Sequence, residues 1–115
     1  MRFELHEQGH LSARMNPSLA ASLVSNLLKN AYVHGDRGGT VSVTVAPHEL
    51  RVCNSGGGGA LDAEHIFERF YQGTKKEGST GLGLSIVDAV CRLYGLRVGY
   101  SYINRCHCFS VHFRI

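Results

Sequence analysis

The sequence predicts a two-layer α+β sandwich, with a mixed, mostly antiparallel sheet carrying its helices on one face. Three observations point there. Two stretches have apolar residues at helical spacing, 17–34 and 82–94, and each ends at a glycine, Gly35 or Gly95. Between and after them, "TVSVTVA" (40–46), "LRVGYSYI" (96–103) and "CHCFSVHFRI" (106–115) alternate as half-buried strands do. The 115 residues, 43% hydrophobic and 18% charged, suit one globular domain over 1–115 rather than a disordered chain.

Taken in order, "RFELHEQ" (2–8) and "LSARMN" (11–16) read as short strands. Asn16 can cap a helix whose first residue is Pro17, where a missing N–H costs nothing. Leu19, Leu23, Val24, Leu27 and Ala31 then recur at helical spacing as far as residue 34. "TVSVTVA" puts Val41, Val43 and Val45 on one face, "PHE" turns the chain, and "LRVCN" (50–54) completes a hairpin. "SGGGG" (55–59) breaks regular structure. "LDAEHIFERF" (61–70) reads as a short helix capped by Asp62, with Leu61 and Ile66 as a hydrophobic staple. "YQGTKKEGST" (71–80) is loop. The helix at 82–94 puts Leu84, Val87, Cys91 and Tyr94 on one side, and a last hairpin turns at Asn104–Arg105. The predicted order is β-β-α-β-β-loop-α-loop-α-β-β.

Composition excludes several function classes. A net charge of +3 suits a small anionic ligand but is too weak and scattered for nucleic acid. No apolar run approaches the roughly 20 residues of a membrane span. "MRFELHEQGH" lacks the apolar core of a signal peptide. The four cysteines, Cys53, Cys91, Cys106 and Cys108, form no CxxC pair, so they are expected to be reduced thiols in a cytoplasmic protein. "CHC" (106–108) lacks a second ligand pair and reads as strand. His10, His48, His65, His107 and His112 read as surface or strand positions.

The chemistry concentrates in two places. In "GSTGLGL" (78–84), glycines lead into a helix N-terminus, where bare N–H groups and the helix dipole favour an anion, phosphate above all; close helix–sheet packing would also account for them. In "NLLKNA", Asn26 and Asn30 lie four apart, on one face of an otherwise apolar helix. Buried amides without partners are costly, so the pair is either exposed or faces a polar ligand. An amide oxygen can complete the octahedral shell of Mg²⁺ beside substrate phosphates.

With these motifs the chain resembles the catalytic domain of sensor histidine kinases. "NLLKNAYVH" resembles their N-box, "NSGGG" their first glycine box, "IFERFYQG" their F-box and "GSTGLGLSIV" their second glycine box, in the family's order across 26–87. The resemblance implies the Bergerat ATP-binding fold of the GHKL superfamily, shared with gyrase, Hsp90 and MutL. It implies that Asn30 coordinates Mg²⁺, that Asn26 lies near metal and phosphate, and that His34 lies beside the adenine. Asn54, Gly56 and Gly58 fall in the first glycine box, and Thr80, Gly81, Leu82 and Gly83 at the phosphate turn. Residues 56–80 correspond to an ATP lid, its short helix anchored by Phe67 and Phe70. Lys75 and Lys76 either add positive charge from that lid or form a solvated pair.

Three positions depart from the family pattern. Asn54 stands where an aspartate usually reads the adenine amino group, Val33 where a basic residue often touches phosphate, and Gln72 where an arginine often ends the F-box. Asn26 also replaces the glutamate that activates water in gyrase-like ATPases, which favours phosphotransfer over hydrolysis. The implied function is to bind Mg-ATP and place its γ-phosphate for a histidine on a separate dimerisation domain, with a response regulator downstream. His6 lies in a strand-like context and is not expected to be the acceptor. The chain is expected to be a monomeric piece of a longer kinase, cytoplasmic or the cytoplasmic part of a membrane-anchored one. An anti-sigma-factor serine kinase and a degenerate, nucleotide-free interaction module are the alternatives.

Overall fold

The computed structural model describes residues 2–36, 38–56, 59–61, 65–67 and 83–113. Five strands form one sheet in the order β1-β2-β3-β5-β4: β1 (Arg2–Glu7), β2 (Thr40–Ala46), β3 (Glu49–Ser55), β4 (Arg97–Ile103) and β5 (Cys106–His112). Two helices, α1 (Pro17–His34) and α2 (Gly83–Leu93), complete the described elements. Only β1–β2 is parallel; the other pairs are antiparallel. The mixed, mostly antiparallel sheet is therefore as expected. Among the described residues no helix is long and apolar enough to cross a membrane.

Helix α1 begins as its sequence predicts. Asn16 Oδ1 accepts from the N–H groups of Ser18 (2.8 Å) and Leu19 (3.3 Å), and Pro17 follows at the first turn. Such a cap contributes about 1 kcal/mol. Leu23, Leu27 and Ala31 are buried at successive turns. Against them lie Val41, Leu50, Val52, Phe109 and Val111, alternate residues that share one face of the sheet. Truncating a buried leucine here to alanine would cost about 2–5 kcal/mol.

Helix α2 adds Val87, Val90 and Cys91 to the same core, with Leu84 and Tyr94 packed beside them. It ends in a Schellman motif. Gly95 has φ +68°, its N–H bonds to Arg92 O, and Leu96 N–H bonds to Cys91 O. The Tyr94 hydroxyl accepts from Asn16 N–H at 2.9 Å, so the end of α2 meets the start of α1. The helices thus run antiparallel over one sheet face. Asn104 and Arg105, at φ 52° and 60°, form the tight turn of the last hairpin.

Three expectations need correction or restriction. Residues 11–16 are not a strand. The β1 pairing ends where Gln8 N–H bonds to Val45 O, and Gly9 then passes so close to Pro47 that a Cβ would lie 2.5 Å from the proline ring. The chain leaves the sheet there, and Leu11 and Met15 pack on the core without ladder bonds. Second, Cys53 and Cys108 are not thiols but are joined as a disulfide. The β3–β5 register sets them opposite each other, an adjacency between residues 55 apart in sequence that no local spacing announces. Cys91 and Cys106 are free. Third, of the expected helix at 61–70, His65–Phe67 form a turn; Asp62, Phe70 and most of the lid lie outside the described residues.

Candidate functional site

The site lies where one end of the sheet meets the C-terminal half of α1. β3 ends at Ser55, and hydrogen bonds gather the neighbouring segments around it. Asp36 N–H donates to Ser55 O at 2.9 Å, and Thr40 N–H donates to Ser55 Oγ at 3.0 Å. Gly56 N–H donates to Arg105 O at 3.0 Å. The end of α1, the start of β2, the end of β3 and the β4–β5 turn therefore converge. His34, the last residue of α1, stands two residues before the Asp36 staple and is half-buried.

Asn26 and Asn30 are both half-buried on α1. Asn26 Nδ2 donates to Ser22 O at 2.8 Å and lies 3.2 Å from Ser22 Oγ, so its donor end is used within the helix. Its Oδ1 faces the start of α2, where a Cβ on Gly83 would lie 3.3 Å away. The N-box and the end of the second glycine box are thus adjacent. Asn30 sits one turn beyond, on the part of α1 that continues past the start of α2.

Asn54 is the most constrained polar residue described. It is 1% exposed, on the helix-facing side of β3 next to the strand's last residue. Nδ2 makes one long bond to Ser55 O, at 3.4 Å, and Oδ1 is buried with no hydrogen-bond partner. Native structures leave few buried acceptors unmade, so this atom is open to a partner from outside the protein, a ligand or a water. Gly56 follows. A Cβ there would lie 2.9 Å from His107 Cδ2 and 3.6 Å from Asn54 Nδ2, so the position needs glycine for space.

His107 was expected to be an ordinary strand or surface histidine. It is in β5, but buried, opposite Asn54. Its Nδ1 is 2.7 Å from the Tyr100 hydroxyl, and its ring centroid is 4.7 Å from that of Tyr102. Tyr102 in turn donates to Gly56 O at 3.1 Å. The only signal in the sequence was the alternation that puts Tyr100, Tyr102 and His107 on the inner face. Gly58, Lys75, Lys76, Thr80, Gly81 and Leu82 lie outside the described residues, as does Gln72. Phe67 stacks edge-on against Phe109 at 6.1 Å and anchors its turn to the core.

Comparison with known proteins decides the family. The model of the histidine kinase-, DNA gyrase B- and HSP90-like ATPases matches residues 15–114. The chain belongs to this family. It is 42% identical over 91 residues to the sensor histidine kinase RppB of Synechocystis sp., covering 71% of this chain and 20% of that protein. It is 41% identical over 87 residues to the sensor protein QseC of Salmonella typhi, covering 73% and 19%. The chain spans about a fifth of the length of the curated relatives it matches. Its fold is similar to the mycobacterial sensor histidine kinase MprB, with TM-score 0.82 at 24% identity, over 96% of this chain and 80% of that one. The cytoplasmic segment of QseC gives a TM-score of 0.72 at 23% identity, over 98% and 57%. The resemblance seen in the four sequence motifs is thereby established.

The residues described fit a nucleotide with its metal. Asn54 offers an unused acceptor, and Asn26 and Asn30 offer amide oxygens on the face of α1 that meets the start of α2. Among the described residues no His, Cys, Asp or Glu cluster could hold a metal ion by itself. A lone amide donor suits Mg²⁺ that arrives with phosphate and water oxygens.

Proposed function

We propose that this chain is the ATP-binding catalytic domain of a two-component sensor histidine kinase. The observation that carries this reading is the buried, unpartnered Oδ1 of Asn54 beside a glycine that must stay bare. Asn54 accepts from the adenine amino group, and His34 borders the base. The start of α2, with Thr80 to Gly83, receives the phosphates through backbone N–H groups and helix dipole. Asn30 completes the shell of Mg²⁺, and Asn26 lies next to it. Mg²⁺ held there would supply charge neutralisation for the phosphates. Lys75 and Lys76 add positive charge for the phosphates, and Gly58 belongs to the same glycine box as Gly56.

Phosphoryl transfer needs mainly positioning and charge neutralisation. A site of amides and glycines, with no general base, meets that need. Asn26 cannot activate water, which separates transfer to a histidine from hydrolysis. It also argues against the anti-sigma-factor serine kinases, which normally place an acid there. A degenerate interaction module would have no use for a buried acceptor left without a protein partner at the proposed base site. The acceptor histidine belongs to a dimerisation domain of the parent kinase, with a response regulator as the next partner. The isolated domain is a monomer, and the kinase places it in the cytoplasm.

The test is calorimetric titration with ATP, in Mg²⁺ and in EDTA, followed by incubation with labelled ATP. The expected result is binding, no acid-labile phosphate on the chain alone, and label on an added dimerisation domain. His6 is exposed on β1 beside Glu4, in no position to receive phosphate from the site's own face. Label on His6 of the isolated chain would overturn the reading.

A further inference from the structure

The two ends of the glycine-rich segment that follows β3 are tied to the same strand. At one end, the Tyr102 hydroxyl donates to Gly56 O at 3.1 Å. At the other, Leu61 N–H donates to the Tyr100 hydroxyl at 2.9 Å. Opposite Tyr102 on the neighbouring strand, His107 fills the space that Gly56 leaves open. The Tyr100 hydroxyl accepts from Leu61 and lies 2.7 Å from His107 Nδ1, so its own proton is left for that nitrogen. Burial pushes the Tyr100 pKa above its usual value, which keeps that proton in place. The His107 ring is stacked with Tyr100 at 5.9 Å and tilted against Tyr102 at 4.7 Å, and the residue stands opposite Asn54. The β4–β5 ladder has its own backbone bonds, so the bonds from Tyr100 and Tyr102 to Leu61 and Gly56 are additional to the sheet pairing.

We propose that Tyr100, Tyr102 and His107 are positioning residues for the nucleoside: acting through Gly56 and Leu61, they hold the base side of the site in its binding geometry. This rests on the nucleotide-binding reading above. Tyr100 is the joint of the device, since one hydroxyl serves both Leu61 and His107. The tyrosines bond backbone on the Asn54 side of the site, so their effect is on the nucleoside and not on Mg²⁺.

The test compares the full 115-residue chain with its Tyr100→Phe and Tyr102→Phe variants, by calorimetry with ADP in Mg²⁺ and in EDTA, well below Tm. Losing one neutral hydrogen bond from a preorganised site should weaken ADP by about 3–10-fold. The same factor is expected in Mg²⁺ and EDTA, with faster exchange of the Leu61 amide in Tyr100→Phe. A merely structural role would lower Tm and leave this affinity unchanged. If Tyr100→Phe does not fold, Tyr102→Phe carries the same expectation at Gly56. Unmodified protein that binds ADP, with variants that bind it equally well or lose affinity only in Mg²⁺, overturns the proposal alone. No binding of ADP or ATP by the unmodified protein overturns the reading beneath it.

Discussion

Asn54 and His107 stand directly opposite each other on β3 and β5, both buried beneath the helices, with Gly56 wedged against the imidazole. This pairing puts the proposed base-reading residue next to a histidine that is itself held by a tyrosine. A methyl group added at Gly56 would press on a ring that cannot swing away.

Gly56→Ala is therefore expected to destabilise the fold by about 1–3 kcal/mol, the usual cost of overpacking a filled site. Its backbone angle is ordinary, so the cost is steric and not conformational. His107→Ala should relieve it. A double-mutant cycle by urea unfolding checks this: additive losses would show that the imidazole is not what the methyl group meets.

Asn30→Ala should weaken ATP on the order of tenfold in Mg²⁺, comparable to the effect of disturbing a metal's surroundings. In EDTA it should change little. Equal losses in the two buffers would mean that Asn30 is not a metal ligand.

Much of this was legible in the sequence, for local reasons. Asn16–Pro17 and Gly35 bound α1, because caps and breakers act within one turn. β2 was read to the residue from its alternation. The N-box and glycine boxes named the family because each is a short, contiguous motif. What escaped was made by register between distant strands: the parallel β1–β2 pair, the Cys53–Cys108 bond and the Tyr100–His107–Tyr102 cluster. Residues 11–16 misled because Leu11, Ala13 and Met15 alternate like a strand. Gly9 and Pro47 in fact send that segment off the sheet.

The thiols give a chemical check. In the native protein Cys91 is buried, and its pKa is pushed up from 9.0 to about 11, first by burial and then by Asp88. Only Cys106 should alkylate rapidly at pH 8. Cys91 should follow on denaturation, and Cys53 and Cys108 only after reduction. Four reactive thiols without reductant would remove the disulfide. Because the folded pKa lies above the unfolded one, Cys91 favours the fold fully below pH 9. That contribution, roughly 2–3 kcal/mol, is lost as pH rises from about 9 towards 11. Cys91→Ala should flatten this part of the stability curve, measured by urea unfolding.

The last prediction concerns Asn54→Asp. On the proposed reading the Asn54 amide oxygen accepts from the adenine amino group, and a carboxylate would accept more strongly. Hydrogen bonds to charged groups contribute about 1.5–3 kcal/mol, against about 0.5–1.5 for neutral ones. The substitution should tighten ATP by roughly 1 kcal/mol, or about fivefold. It also removes the Nδ2 donor, which in the present protein can serve the O6 of guanine, so GTP should be rejected more sharply. The gain comes at a cost to the unliganded fold. Asn54 is 1% exposed, and its Oδ1 has no protein partner. A carboxylate there is desolvated and its pKa rises. The variant should consequently melt lower than the parent without nucleotide and recover more on adding ATP. Calorimetry with ATP and GTP, beside thermal melts with and without ATP, reads both effects. An unchanged ATP/GTP ratio would show that Asn54 does not read the base, whatever the melts report.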